Sequence, residues 1–542
     1  MNIKFFGATE MVTGSCHMIE AEGKKLLLDC GMFQGSRTED LRNFDEFGFD
    51  PSEIDYLILS HAHIDHTGRV PLLVKRGFKG RILSVKATTD LSEIMLLDSA
   101  HIQEQDTEWE NRKLQRRGEA LKEPLYTVDD AKLSLKFFES YFYDQEINLD
   151  DIFTITFKDA GHILGSAIVE IIVKEKAGNT KIVFTGDLGV RRRPILKDPT
   201  IIDGCDYLIM ESTYGDENHP ELENSSKQLI EIIEQTAKRG GTTLIPSFAV
   251  GRTQEIIYEL NAYYDNKELP AEMQIPIYID SPMAIEATEA YNKNSELFDE
   301  ETQELILSGD HPFKFPNLKY VKTVEESKML NKTSFPCVII SASGMCDAGR
   351  IRHHIKHNAW NKKNSIVFVG YQAKGTTGRR ILEGEKEIKI LGELVQINAE
   401  IHSLEGFSAH ADQKMLLDFI RGMKHKPKKI FIVHGEAPSN TVLKSKIEEE
   451  FKIDVTIPQF QDEFSIDRDE LTHNRAYEPN IYEKQRDIKD TMQKIDKAYM
   501  NLINKDELLY EKNGLEENYA EYKKVLLELE SKLMEINSLR SK

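Results

Sequence analysis

The run YLILSHAHIDH (56–66) constrains the fold more than any other stretch. An apolar segment of strand length stops abruptly at three histidines and an aspartate: His61, His63, Asp65 and His66. Side chains two apart on an extended segment point the same way, so His61 and His63 can face one ion. Asp65 and His66 then turn toward a second position. Neutral imidazoles and carboxylates at this density suit zinc or a similar borderline divalent ion. The fold must therefore set a strand-end loop over a metal.

The same arrangement recurs along the chain. Asp29 follows KLLL, His162 follows TITFKDA in DAGHILGSA, Asp187 follows KIVFT in FTGDLG, and His434 follows a strand in IVHGE. Most sit in glycine-flanked turns, where backbone can approach closely. Singly, each would pass for a satisfied histidine or a turn aspartate. Together with the first cluster they supply the further ligands that two metals need. Loops at strand ends commonly gather distant side chains into one site in α/β proteins.

The rhythm of the chain changes twice. Residues 1–207 alternate short β-rich runs with helical patterns such as TTDLSEIMLLDSAHIQEQ. Residues 208–390 read as repeated helix and buried strand (GTTLIPS, IPIYID, CVIISASG, SIVFVGYQ), which predicts a second parallel sheet. Residues 391–475 return to cluster-bearing strand ends. In 476–542, Leu515, Tyr519, Tyr522, Leu526 and Leu529 alternate four and three apart, and an Asn513-Gly514 turn separates them from a similar series. This predicts an antiparallel helical hairpin suited to self-association, so a homodimer is expected.

Composition narrows the setting. No run of 18 or more apolar residues exists, so no membrane span is expected. The first residues lack a basic segment followed by a long apolar one, and the five scattered cysteines form no CxxC pair. Buried reduced thiols in the cytoplasm are expected. The net charge of −21 argues against a diffuse basic surface for nucleic acid, though not against a local basic groove.

The series LLLDCG, HAHIDH, AGHILGSA and FTGDLG resembles the metallo-β-lactamase superfamily. That resemblance implies an αββα sandwich with a dinuclear site at one edge. His61, His63 and His162 would hold one zinc, Asp65, His66 and His434 the other, and Asp187 would bridge both. Asp29 would orient ligands from behind. ESTYG (211–215), SASGM (341–345), GYQAKGTTGR (370–379), FSAHAD (407–412) and IVHGE further resemble the β-CASP group, whose members cut nucleic acids. The α/β unit at 208–390 falls where that group carries its inserted domain. In the group, RNA-cleaving members carry histidine in the last motif, whereas DNA-repair members generally carry valine; His434 favours RNA. DSAHIQEQD (98–106) and SASGM look closest to bacterial and archaeal relatives of the pre-mRNA 3′-end-processing endonuclease. No segment precedes the first strand where archaeal relatives carry KH domains, so substrate capture is expected to fall to the groove.

The expected activity is hydrolysis of RNA phosphodiesters by a hydroxide bridging two zinc ions, internally or from the 5′ end. By resemblance, His410 would act as general acid or charge stabiliser, with Glu211 orienting it. Arg252, opening a helix after a buried strand, suits a backbone phosphate. Two small-residue loops, Ser341, Ser343 and Gly344, and Lys374, Gly375 and Thr376, are candidate substrate contacts. The basic run at 350–364 could line a groove. A narrow cleft over recessed zinc would admit single strands and exclude a duplex. Two alternatives are a silent RNA-binding subunit and a small-ester or thioester hydrolase.

Overall fold

The structure is a computed structural model that describes residues 1–35, 37–176, 178–220, 222–265, 275–373, 375–467 and 470–474. The expected hairpin at 476–542 and Lys374 lie outside the described residues.

Among the described residues, two sheets carry the cluster-bearing loops. The first has eight strands; its central members, Lys24–Leu28, Tyr56–Ile58 and Arg81–Val85, run parallel, with Leu28 opposite Ile58. The second has seven, in which Gly178–Phe184, Tyr207–Glu211 and Lys429–Val433 run parallel, with Glu211 opposite Val433. Side chains from both pack into one apolar layer, among them Phe5, Leu28 and Ile58 from the first sheet and Phe157, Val169 and Phe431 from the second. This is a sheet-on-sheet sandwich. The outer faces are covered by helices: Leu27, Leu57 and Leu59 pack with Leu73 and Leu96, and Leu208 and Ile432 pack with Leu416 and Leu443. Strands such as Tyr56–Ile58 and Lys429–Val433 are buried throughout because both of their faces are covered.

A third sheet of six parallel strands forms the inserted unit. It begins at Thr242–Pro246 and takes its last strand from Glu400–Ser403, beyond the expected end at 390, while Tyr207–Glu211 belongs to the sandwich. An apolar cluster continues from this unit into the sandwich: Ile245, Val250 and Ile340 share it with Ala62, Leu91, Ile163, Leu164 and Ile195. The loop that carries His162 is thus packed against the inserted unit. All five cysteines are buried and free, as expected of reduced thiols. No described helix is long and apolar enough to cross a membrane.

Candidate metal centre

Each ligand-bearing turn is fixed by the chain beside it. Ser15 N donates to Asp65 O and Cys30 N to His66 O, both at 2.8 Å, and Met32 N donates to Ile64 O at 2.9 Å. This approach works only because residue 31 is glycine: a Cβ there would lie 1.6 Å from Asp65 O. Asp29 and His434 adopt left-handed backbone, with φ of 58° and 52°. Such conformations cost energy in residues with a Cβ and gather at functional sites.

The strand ends bring the expected ligands together. Ligand atoms of His61, His63, His162 and Asp187 all lie within 4.8 Å of one another, as do those of Asp65, His66 and His434. In the first group His63 Nδ1 is 3.1 Å from His61 Nε2 and 3.2 Å from His162 Nε2. In the second the Nε2 atoms of His66 and His434 are 3.2 Å apart, and His434 Nε2 is 3.5 Å from Asp65 Oδ2. Asp187 stands between them: Oδ2 is 3.5 Å from His61 Nε2 and 3.3 Å from His66 Nε2, and Oδ1 is 3.5 Å from His434 Nδ1.

The donor set fits divalent metal. Burial, with neighbouring imidazoles adding to it, holds His61 and His162 well below the usual imidazole range, and burial takes His63 down to about 4. All three are neutral with a lone pair to give. Burial opposes ionisation of Asp187 and Asp65, but the surrounding histidines outweigh it. Asp187 stands well below its ordinary range and Asp65 at about 2. Burial also works against protonated His66, yet Asp187, Asp29 and Asp65 lift its pKa well above the usual value. The second position therefore favours a cation, whether proton or metal. Asp187 Oδ1 is buried without a hydrogen-bond donor, which a metal would satisfy.

Behind the ligands, tautomers are set. His66 Nδ1 donates to Asp29 Oδ2 at 2.7 Å, which leaves Nε2 for metal. Asp29 is fully buried, accepting also from Ser60 Oγ at 2.9 Å, Ser15 Oγ at 3.0 Å and Ser60 N at 2.8 Å. His162 Nδ1 is 3.3 Å from the carbonyl of Ala409, and Thr213 Oγ1 is 3.1 Å from His434 Nδ1.

His410 completes the site. Its Nδ1 is 3.3 Å from Glu211 Oε2 and 3.8 Å from Asp187 Oδ2. Burial works against its charge, but Glu211 and Asp187 raise its pKa to about 9. Glu211 is itself fully buried and fixed by Leu188 N at 2.6 Å. A main-chain bridge between Gly189 and His410, and Ala411 N donating to Leu188 O at 2.7 Å, hold the segment against the Asp187 loop.

The expected substrate contacts fare differently. Arg252, expected to meet a backbone phosphate, is buried: it pairs with Glu255 and lines a small cavity with His162, Arg193 and Tyr291. Ser341 Oγ donates to Asp280 O at 2.7 Å and Ser343 Oγ to Ala348 O at 3.4 Å, so both are tied into the inserted unit. Gly344 packs against Phe248, and Thr376 caps helix Thr377–Leu382, while Gly375 faces open space. In helix Ile351–Asn358, His353 and His357 are exposed, Lys356 is paired with Glu393, and Trp360 beyond it is exposed. Residues not anticipated from sequence include Ser60, Thr213, Arg193 and an aromatic group beside His410. Tyr214 lies 6.3 Å from the His410 ring and 6.3 Å from Tyr371, whose hydroxyl donates to Glu436 at 2.8 Å. Ser60 precedes HAHIDH and Thr213 lies within ESTYG, so both could have been suspected; nothing local pairs Tyr371 with Glu436.

Comparison with known proteins agrees with this geometry. Residues 10–246 match the metallo-β-lactamase superfamily, 253–381 the Beta-Casp domain, and 394–458 the Zn-dependent metallo-hydrolase RNA specificity domain. Ribonuclease TTHA0252 of Thermus thermophilus is 40% identical over 436 residues, covering 80% of this chain and 93% of its own. The transcription termination factor FttA of Methanocaldococcus jannaschii is 32% identical over 476 residues, covering 86% of this chain and 72% of its own. With the ligand loops at the strand ends of the sandwich and a parallel-sheet unit inserted between them, the chain belongs to the β-CASP group of the metallo-β-lactamase superfamily.

Proposed function

We propose that this protein is a zinc-dependent ribonuclease that hydrolyses phosphodiester bonds of single-stranded RNA. One observation carries the reading: His410, buttressed by fully buried Glu211, stands 3.8 Å from the aspartate shared by both ligand groups. Displacement at phosphorus needs a proton for a poor leaving oxygen, and His410 stands where it can give one. The match to a segment described as an RNA specificity domain, and the ribonuclease named among the relatives, support RNA.

His61, His63 and His162 would hold one zinc, Asp65, His66 and His434 the second, with Asp187 shared. Two zinc ions there would supply a nucleophile at neutral pH and neutralise charge on the phosphate oxygens. The remaining work falls to side chains. Asp29 keeps His66 in the tautomer that leaves Nε2 free, and the Ala409 carbonyl does the same for His162. Glu211 takes His410 Nδ1, which leaves Nε2 to carry a proton to the leaving oxygen. Exposed Trp360 offers a stacking surface for a flexible strand, and exposed His353 and His357 on helix Ile351–Asn358 offer hydrogen-bonding imidazoles.

The test is zinc-loaded protein with single-stranded RNA labelled at each end, bearing 5′-monophosphate or 5′-hydroxyl, alongside His63→Ala. Cleavage lost in His63→Ala is expected. Short fragments released only from the 5′-monophosphate end would assign exonuclease action, and internal products would assign endonuclease action. No cleavage at full zinc occupancy would overturn the reading and favour a silent RNA-binding role.

A further inference from the structure

Arg193 lies past Asp187 in the run RRRP. The structure buries it. Its guanidinium donates from Nη1 to Glu255 Oε1 at 2.8 Å, and from Nη2 to the carbonyls of Gly406 at 2.5 Å and Ser408 at 2.8 Å. Those three partners belong to two different segments. Glu255 is in helix Arg252–Asp265 of the inserted unit, and Gly406 and Ser408 lead directly into His410.

The main chain around His410 has few degrees of freedom left. The Ala409 carbonyl meets His162 Nδ1, the His410 carbonyl lies 3.0 Å from His219 Nε2, and Ala411 N donates to Leu188 O. These contacts act at or after residue 409. Arg193 ties the approach to it, Gly406 and Ser408, to helix Arg252–Asp265 of the inserted unit, beside the apolar packing of Leu404 and Phe407. A buried guanidinium bonded to two carbonyls and a carboxylate is a rigid fork whose planar geometry lysine cannot reproduce.

We propose that Arg193 is a positioning residue for His410, making the placement of that imidazole beside Glu211 depend on the docking of the inserted unit through Glu255. The inference rests on the ribonuclease reading for its kinetic arm, and has a structural arm that does not. An ångström of misplacement at a reacting group can cost about 100-fold in turnover. Arg193→Lys should therefore lower kcat on single-stranded RNA by about 10- to 100-fold. KM and zinc content should stay near wild type. Because Arg193 acts through His410, adding Arg193→Lys to His410→Ala should lower kcat little further, the non-additivity expected of residues that work as a unit. Glu255→Gln, which keeps the side-chain size, should show a smaller loss with the same non-additivity, and it serves if Arg193→Lys fails to fold.

The structural arm is a crystal structure of the zinc-loaded Arg193→Lys or Glu255→Gln protein. His410 should have left its contact with Glu211 while His61, His63 and His162 stay in place. Full multiplicative loss in the double variant, or His410 unmoved beside Glu211, would overturn the proposal. Wild-type protein that holds zinc but cleaves no RNA would instead refute the ribonuclease reading, and the position of His410 would still decide the role of Arg193.

Discussion

Replacing Asp29 with asparagine isolates what the buried carboxylate does for the metal position behind it. Asparagine tolerates the left-handed backbone at this residue, so the change is not a backbone perturbation. Its carbonyl can still accept from Ser60 N, and the hydroxyls of Ser15 and Ser60 can rotate to accept from the new amide. His66 cannot adapt so easily. Its Nδ1–H loses a charged acceptor at 2.7 Å, and the alternative tautomer puts the proton on Nε2, the atom that faces His434 and Asp187. Hydrogen bonds to charged groups contribute about 1.5–3 kcal/mol. At about 1.4 kcal/mol per decade, zinc affinity at the position of Asp65, His66 and His434 should fall roughly 10- to 100-fold. The position of His61, His63 and His162 should stay closer to wild type, since Asp29 reaches His61 only through Ser60 Oγ, 3.1 Å from its Nδ1. Competition of metal-free protein with a chromophoric zinc chelator resolves the two steps. Equal losses at both positions, or no loss at either, would refute a role for Asp29 in selecting the His66 tautomer.

Four further outcomes follow from the geometry. His410→Ala should lower turnover on RNA by ~10² to 10⁴ with zinc content unchanged, measured by single-turnover cleavage beside metal analysis. Gly31→Ala places a methyl group against Asp65 O, so it should displace the HAHIDH turn, reduce zinc bound per chain and lower Tm by several degrees, read by metal analysis and calorimetry. Stripping zinc should lower Tm and restoring it should recover the value, because ligands gathered from loops 373 residues apart (61 to 434) meet only in the folded chain. Burial raises Asp159 to about 7, above its value in the unfolded chain. The folded state thus binds the extra proton between roughly pH 4 and 7, and the stability it confers is present at the acid end and lost as pH rises. Asp159→Asn should flatten that part of a Tm-against-pH curve; an unchanged curve would show that Asp159 ionises freely.

The candidate ligands, which the fold brings together, were legible in the sequence because ligand chemistry is dense and local. HAHIDH supplies four in six residues, and each remaining ligand follows an apolar run of strand length. Residue type and strand-end position suffice to nominate them, since strand ends on one edge of a sandwich converge whatever the exact connections. Where the inserted sheet ends was less legible: Glu400–Ser403 joins it across a two-stranded excursion, Glu387–Ile390 with Glu393–Gln396, that reads locally as a break.

What only the tertiary structure decided is which polar side chains face the cleft and which are consumed inside. Arg252, expected to meet a phosphate, and Arg193, which the sequence did not single out, are both buried against Glu255 as internal ties. Ser341 and Thr376 look like phosphate-binding hydroxyls, yet Ser341 Oγ donates to Asp280 O, and Thr376 Oγ1 donates to Ala373 O while accepting from Arg379 N as a helix cap. The physical reason is common to all of them. A metal ligand is recognised by chemistry that composition and spacing reveal, but the role of a donor depends on its nearest acceptor, and that acceptor is chosen by contacts between segments far apart in sequence.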